Sequence, residues 1–308
     1  MKGAVSVIIP CYNQAQFLPD ALKSALAQTY RKMEVVVLDD GSPDTTAEVV
    51  ARYPGARCVR QENRGVAEAR NAGFRASSGE YVLFLDADDR LTPNAVEAHL
   101  LCFAEHPEAG FVVGDIDQIA GDGSYIRSPR WPVLEANFYE ELLKVNHVAN
   151  TIAVMFRRSV IERVGGFKTA PAEDYELLLN AARQFSSAHH RSVVAQYRRH
   201  DANMSRNGSV MLRTMHKVMQ SQVPFVTENP KLKAAHRKGE LCWRDHFGLA
   251  TIREIYTHIV RCEPWRAARA FAALLRYVRG RLFVLPWKLL LRLLEHRRER
   301  ARHVSTGS

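Results

Sequence analysis

Between Val5 and Gly114 the chain alternates short apolar runs with helix-periodic segments, and this alternation restricts the fold more than any other feature of the sequence. The predicted strands are Val5–Pro10, Glu34–Asp39, Ala56–Arg60, Tyr81–Leu85 and Phe111–Gly114. Three of them are continuously apolar, as strands covered on both faces of a parallel sheet are. Between them, Phe17–Gln28 places Leu18, Leu22, Ala25 and Leu26 on one helical face. Pro93–Glu105 does the same with Val96, Leu100, Phe103 and Ala104. Thr92 is the expected N-cap of that second helix, with Pro93 in its first turn. The pattern predicts an α/β fold: a doubly wound, mostly parallel sheet of nucleotide-binding type, flanked by helices.

The later part of the chain reads differently. The glycine-, serine- and proline-rich run Ala120–Pro132 is expected to be a long loop, and such loops often serve as lids or binding loops. A short helix near Phe138–Lys144, an apolar strand around Ile152–Phe156 and a helix opening near Glu173 follow. From about Ser209 the pattern is helical and increasingly basic. At 308 residues the expected organisation is a catalytic domain over residues 1–208 and a helical, amphipathic C-terminal extension over 209–308.

Composition excludes several classes. Hydrophobic and charged fractions of 46% and 25% are those of a globular protein rather than a disordered one. The five cysteines are scattered and form no C-x-x-C pair, which fits a reduced, cytoplasmic setting; a secretion signal is not expected. The net charge of +10 is concentrated late: from Arg261 onward 12 Lys/Arg stand against 3 Glu.

In open α/β sheets ligands lie beyond the carboxyl ends of the strands, so polar residues directly after a buried strand are the ones that matter. The run F-L-D-A-D-D places Asp86, Asp88 and Asp89 on one short turn, where mutual repulsion calls for a cation. A hard divalent ion, Mg²⁺ or Mn²⁺, held by one or two carboxylates and substrate phosphates supplies it. The competing readings are an acidic solvated loop and a haloacid dehalogenase-type phosphatase. The latter wants Thr or Val where this chain has Arg90.

Asp39-Asp40-Gly41-Ser42 is either an ordinary turn or, opposite Pro10 and Tyr12, one wall of a pocket for a planar base. Arg70 shares a helical face with Val66, Ala69, Gly73 and Phe74, so its guanidinium is either directed toward the sheet edge, where it needs an anion or acceptor partner, or snorkels to the surface. Glu173 and Asp174 suit a helix N-terminus through the helix dipole, and an ionised Asp174 also suits a general base.

Taken together, these segments resemble glycosyltransferase family 2, whose catalytic domain has the GT-A fold. The matching pieces are V-S-V-I-I-P-C-Y-N (Val5–Asn13), V-V-L-D-D-G-S (Val36–Ser42), N-R-G-V-A-E-A-R-N-A-G (Asn63–Gly73) and Y-V-L-F-L-D-A-D-D (Tyr81–Asp89). V-G-G-F (Val164–Phe167), A-E-D-Y-E-L (Ala172–Leu177) and Y-R-R-H (Tyr197–His200) complete the ordered set. The resemblance implies an inverting transfer from a nucleotide-diphosphate sugar, UDP-linked by expectation, to a saccharide or lipid-linked acceptor, in a setting such as bacterial surface polysaccharide or glycolipid synthesis. It implies that Pro10, Tyr12 and Asp40 border the nucleobase and that Arg70 lies along the nucleotide. Asp86 would contact ribose or the metal's water, Asp88 would ligate the metal, and Asp174 would be the catalytic base. His200, which ends the resembling part of the chain, is expected near the diphosphate as a further metal ligand or a contact to the leaving group, the competing reading being a surface histidine. The Q-x-x-R-W motif and membrane spans of processive members do not appear, so transfer of a single sugar is expected.

The alternative is a binding or scaffold protein with the same fold and no chemistry. Nucleic acid is not an expected partner, because Val278–Leu294 interleaves its basic residues with too much apolar surface. That segment, whose competing reading is a helix packed on the chain's own body, is expected to lie on an anionic membrane surface, peripheral on the inner face of the cell membrane. Interrupted by Pro286, Lys288 and Arg292, it is too short to span one. The oligomeric state is not legible.

Overall fold

The computed structural model describes residues 3–133, 137–148, 150–200 and 207–278. The described residues fall into two compact units, one running to residue 203 and the other from residue 204.

The first unit is built on one curled sheet. Strands β1 (Val5–Cys11), β2 (Met33–Asp39), β3 (Ala56–Arg60) and β4 (Tyr81–Phe84) are mutually parallel in the order β3-β2-β1-β4. Helices α1 (Leu18–Leu26), α2 (Thr46–Ala51) and α3 (Val66–Ala76) make the crossovers. Every residue of β1 is buried, and Val35–Asp39 of β2 likewise, as their continuous hydrophobicity requires. Gly73 lets α3 approach β1: a Cβ there would lie 2.5 Å from Cγ2 of Ile8.

Beyond β4 the sheet becomes mixed. The two-residue strand β5 (Arg90–Leu91), helix α4 (Ala95–Glu105), β6 (Phe111–Ala120) and β7 (Tyr125–Arg127) come next in the chain. They are followed by α5 (Phe138–Lys144), β8 (Val154–Arg157), α6 (Arg158–Val164), α7 (Glu173–Ala182) and β9 (Ser187–Arg199). The sheet continues β4-β8-β6-β9-β5, with β8 antiparallel to both of its neighbours and β6 parallel to β9. The result is a mixed α/β architecture with a mostly parallel sheet flanked by helices.

Two local expectations are corrected. Helix α4 begins at Ala95 with Asn94 at its N-cap; Thr92 is not the cap, because its hydroxyl donates to the Val193 carbonyl at 2.7 Å and ties β5 to β9. The run from Ala120 to Pro132 is not all loop, since Ile119 and Gln118 pair with Tyr125 and Arg127 in a short hairpin.

The second unit consists of α8 (Gly208–Val226), α9 (Pro230–Val260) and α10 (Pro264–Val278). Asn207 and Asn229 cap α8 and α9 through their side chains, and Pro230 opens α9. Among the described residues no helix is long and apolar enough to cross a membrane. The expected membrane-binding segment lies, apart from Val278, outside the described residues.

Candidate functional site

The polar residues at the carboxyl ends of β1, β2 and β4 fall into three groups. The first surrounds Asp40. Its backbone N–H bonds to the Cys11 carbonyl at 2.9 Å, and this brings the ends of β1 and β2 together. Pro10 is buried at the end of β1, and Tyr12 is half-exposed just beyond it. The Asp40 carboxylate accepts bonds from Gln61 Nε2 (2.7 Å) and from the backbone N–H groups of Arg64 and Gly65 (2.9 Å each). It thus anchors the loop into α3. Asp39 is wholly buried, held by the Ser42 N–H at 2.8 Å and Arg60 Nη1 at 2.9 Å.

The second group centres on Arg70. Its guanidinium is buried and bonds Asp86 Oδ1 from Nη2 at 2.6 Å and Glu173 from Nη1, with the Phe167 ring 5.3 Å from Cζ. The anionic partner expected for this arginine is therefore a pair of carboxylates, one at the end of β4 and one at the start of α7. Asn150 Nδ2 bonds the other Asp86 oxygen at 3.1 Å. Burial alone would lower the Arg70 pKa, but Asp86, Glu173 and Asp174 raise it above the ordinary arginine value. Burial pushes Glu173 up to about 7 against the pull of Arg70. It raises Asp174 above the usual aspartate value as well, again opposed by Arg70.

Asp174 lies in the first turn of α7 and is partly exposed; its Oδ1 accepts the Tyr175 N–H at 2.7 Å. Behind this group, Asn71 latches the V-G-G-F turn to α3. Its Oδ1 accepts the Phe167 N–H and its Nδ2 donates to the Phe167 carbonyl, both at 2.9 Å. Gly166, at φ +71°, permits this approach.

The third group is the rest of the carboxylate turn. His200 Nε2 lies 2.8 Å from Asp88 Oδ2, and the His200 ring stacks on Phe17 at 5.1 Å. Arg198 clamps the turn from β9. Its backbone N–H bonds Asp89 Oδ1 at 2.7 Å, Nε bonds the Asp88 carbonyl at 2.7 Å, and Nη2 reaches Asp20 at 2.9 Å. Burial raises the pKa of Asp88, with Asp86 adding to it and His200 opposing. Asp89, wholly buried beside Asp88 and Asp86, is raised further.

These residues fit a divalent cation. Neighbouring ligands of an octahedral Mg²⁺ at about 2.1 Å lie roughly 3 Å apart, and Asp88 Oδ2 and His200 Nε2 meet at 2.8 Å. Burial and the neighbouring Asp86 raise Asp88 in spite of His200, and a cation would offset that excess of negative charge. Among the described residues no three His, Cys, Asp or Glu side chains converge as a complete metal cage. The protein would therefore supply two ligands and leave the remainder to phosphate oxygens and water, the usual arrangement for Mg²⁺.

Asn150, Asn71, Phe167 and Arg198 were not singled out from sequence. The last three lie inside the segments N-R-G-V-A-E-A-R-N-A-G, V-G-G-F and Y-R-R-H, which were the available signal. Asn150 lay outside every motif.

A family model described as glycosyl transferase family 2 matches residues 6–165, just over half of the chain. An uncharacterized glycosyltransferase of Haemophilus influenzae is 30% identical over 180 residues, covering 57% of this chain and 60% of its own length. The chain thus spans less than two thirds of that relative. Among solved structures, a mannosyltransferase from Pyrobaculum calidifontis in complex with GDP-Man and Mn²⁺ superposes with a TM-score of 0.60 at 21% identity, over 99% of this chain and 84% of that one. S. aureus TarS 1–349 in complex with UDP-GlcNAc superposes at 0.55 and 17% identity, over 91% and 92%. At these identities the two structures establish a shared GT-A fold.

Proposed function

Because the chain belongs to glycosyl transferase family 2, we propose that it transfers a single sugar from a nucleotide-diphosphate sugar to an acceptor hydroxyl, with inversion at the anomeric carbon. The observation that carries the reading is the bridge Asp86–Arg70–Glu173, which holds the carboxylate turn after β4 and the start of α7 against one another. The proposed base, next to Glu173, and the proposed diphosphate site, at the carboxylate turn, would then lie on two sides of one guanidinium.

Asp174 is the proposed base. The acceptor hydroxyl gives its proton to this carboxylate as its oxygen bonds to the anomeric carbon, and the bond from that carbon to the diphosphate oxygen breaks on the opposite face. One displacement inverts the configuration and leaves no covalent sugar intermediate. Burial raises the pKa of Asp174 above the usual aspartate value, which strengthens it as a base. Arg70, through the adjacent Glu173, and the Tyr175 N–H hold it in position.

Asp88 and His200 would hold Mg²⁺ or Mn²⁺, which when bound supplies neutralisation of the charge that develops on the departing diphosphate. Pro10, Tyr12 and Asp40 border the proposed nucleobase pocket at the β1 and β2 ends, where Tyr12 is open for stacking. Donor use is supported by the UDP-GlcNAc and GDP-Man bound to the two similar structures.

The test is release of nucleoside diphosphate from a panel of UDP- and GDP-sugars with Mn²⁺ or Mg²⁺, with product configuration read by NMR. Turnover of at least one donor with inverted product supports the reading. Tight donor binding without turnover across the panel and a range of saccharide acceptors would identify a binding protein instead.

A further inference from the structure

The described part of the C-terminal unit ends in a hairpin, with α9 turning at residues 261–263 into α10. A packed helix needs one apolar stripe, and α10 has it: Ala267, Ala270, Ala273, Leu274 and Val278 are buried. A second apolar stripe lies on its other side. Trp265, Phe271 and Leu275 are 57, 50 and 46% exposed, and with Ala268 and Ala272 they recur at helical spacing. The end of α9 adds exposed Tyr256, Ile259 and Val260. Exposed apolar side chains that recur along one helix face in this way mark a contact surface.

The charge beside this stripe decides what it contacts. Arg266, Arg269 and Arg276 are exposed and run along the flank between the two stripes. Together with Arg213, Trp265 and Tyr277 they line a cavity of about 440 Å³. The Arg266 guanidinium lies 5.0 Å from the Trp265 ring. The four arginines Arg213, Arg266, Arg269 and Arg276 outnumber the two nearby acids, Glu254 and Glu263. Glu254 accepts both the N–H and hydroxyl of Ser209, and Glu263 is shared by His258 and Arg266.

The flank is therefore cationic. A second copy of the chain would bring its own arginines against these, and a basic partner would be repelled. Guanidinium groups beside tryptophan and tyrosine, bordering a narrow apolar stripe, are the composition of a helix that lies in a bilayer interface.

We propose that the α9–α10 hairpin is a docking face for an anionic bilayer. Trp265, Phe271 and Leu275 enter the headgroup–acyl boundary, Arg266, Arg269 and Arg276 hold lipid phosphates, and the arginine-lined cavity receives one headgroup. The contact thus begins within these helices, upstream of residue 279. Docking does not rest on the proposed transfer reaction.

The test uses the full chain with vesicles of phosphatidylcholine alone and of phosphatidylcholine mixed with phosphatidylglycerol. Wild type is compared with Trp265→Ser/Phe271→Ser/Leu275→Ser and with Arg266→Gln/Arg269→Gln/Arg276→Gln, and folding is followed by circular dichroism. Wild type should co-sediment with the anionic vesicles more strongly than with the neutral ones. Each arginine near an anionic surface contributes about fivefold, so the glutamine variant should bind more than tenfold more weakly and lose most of its salt dependence. The serine variant should weaken binding at every salt concentration. If either set fails to fold, the single changes Phe271→Ser and Arg269→Gln carry the comparison. Unchanged binding by the folded variants, or no anionic binding by wild type, overturns the proposal. So does a serine variant that turns a dimer into a monomer while vesicle binding persists.

Discussion

Arg70 donates from Nη2 to Oδ1 of Asp86 at 2.6 Å, so a residue of α3 orients the first carboxylate of the turn that follows β4. The same guanidinium holds Glu173, and its loss would leave that carboxylate buried without a cation. Removing one partner of a buried ion pair costs about 3–5 kcal/mol. Arg70→Ala should lower stability in urea unfolding by that order and abolish transfer. Arg70→Lys keeps the charge but not the fork that reaches both carboxylates. It should fold and turn over donor poorly; a lysine variant with wild-type kinetics would show that the bridge is dispensable.

The latch behind Arg70 gives a second prediction. A Cβ at Gly166 would fall 2.4 Å from Asn71 Oδ1, at a φ of +71° that side chains rarely adopt. Gly166→Ala should displace Asn71 and release Phe167 from beneath the guanidinium. The expected cost is about 1–3 kcal/mol, measured as a fall in urea midpoint together with weaker nucleotide binding. Unchanged nucleotide binding at reduced stability would confine the turn to a structural role.

Asp88 and His200 are expected to carry the metal requirement. Excess EDTA should stop turnover, and Mn²⁺ or Mg²⁺ should restore it. Asp88→Ala should be inactive at any metal concentration while remaining folded. His200→Ala should raise the metal concentration for half-maximal activity by roughly tenfold or more. Wild-type metal dependence in His200→Ala would remove that residue from the site.

Away from the site, His99 and His190 meet at 3.0 Å between α4 and β9. Burial holds His99 well below the usual histidine range, and burial lowers His190 to about 4. A base whose pKa is lower folded than unfolded binds fewer protons in the native state. The pair therefore costs nothing above about pH 6.5, and stability falls as the pH drops from there toward 4. Raised carboxylates such as Glu173 act in the opposite direction, so the pair's effect is read as a difference between proteins. His190→Gln, compared with wild type in urea at pH 7.5 and 4.5, should lose less stability on acidification, by about 1–2 kcal/mol. Equal losses would mean that the pair does not titrate in this way.

The fold was legible where burial leaves a one-dimensional trace. The apolar runs of β1 and β2 are buried because both faces of the sheet are covered there, and the three carboxylates after β4 stood out because nothing local explained them. What remained hidden depended on partners far apart in the chain. Arg70 visibly needed an anion, but Glu173 lies 103 residues away, and no local pattern selects it. Arg198, 110 residues from the Asp88 carbonyl it holds, looked like any basic residue in a strand. Thr92 had the right chemistry for a helix cap, but its hydroxyl was recruited by Val193 across the sheet. The two residues of β5 were too few to leave a pattern.

The central claim, that Asp174 removes the acceptor proton in an inverting transfer, is tested most directly by Asp174→Asn. Nucleotide affinity is measured by calorimetry and turnover by release of nucleoside diphosphate, on the same preparation and with the same metal. The account predicts nucleotide affinity close to wild type and turnover lower by about 10²-fold or more. Turnover that survives the substitution would contradict it.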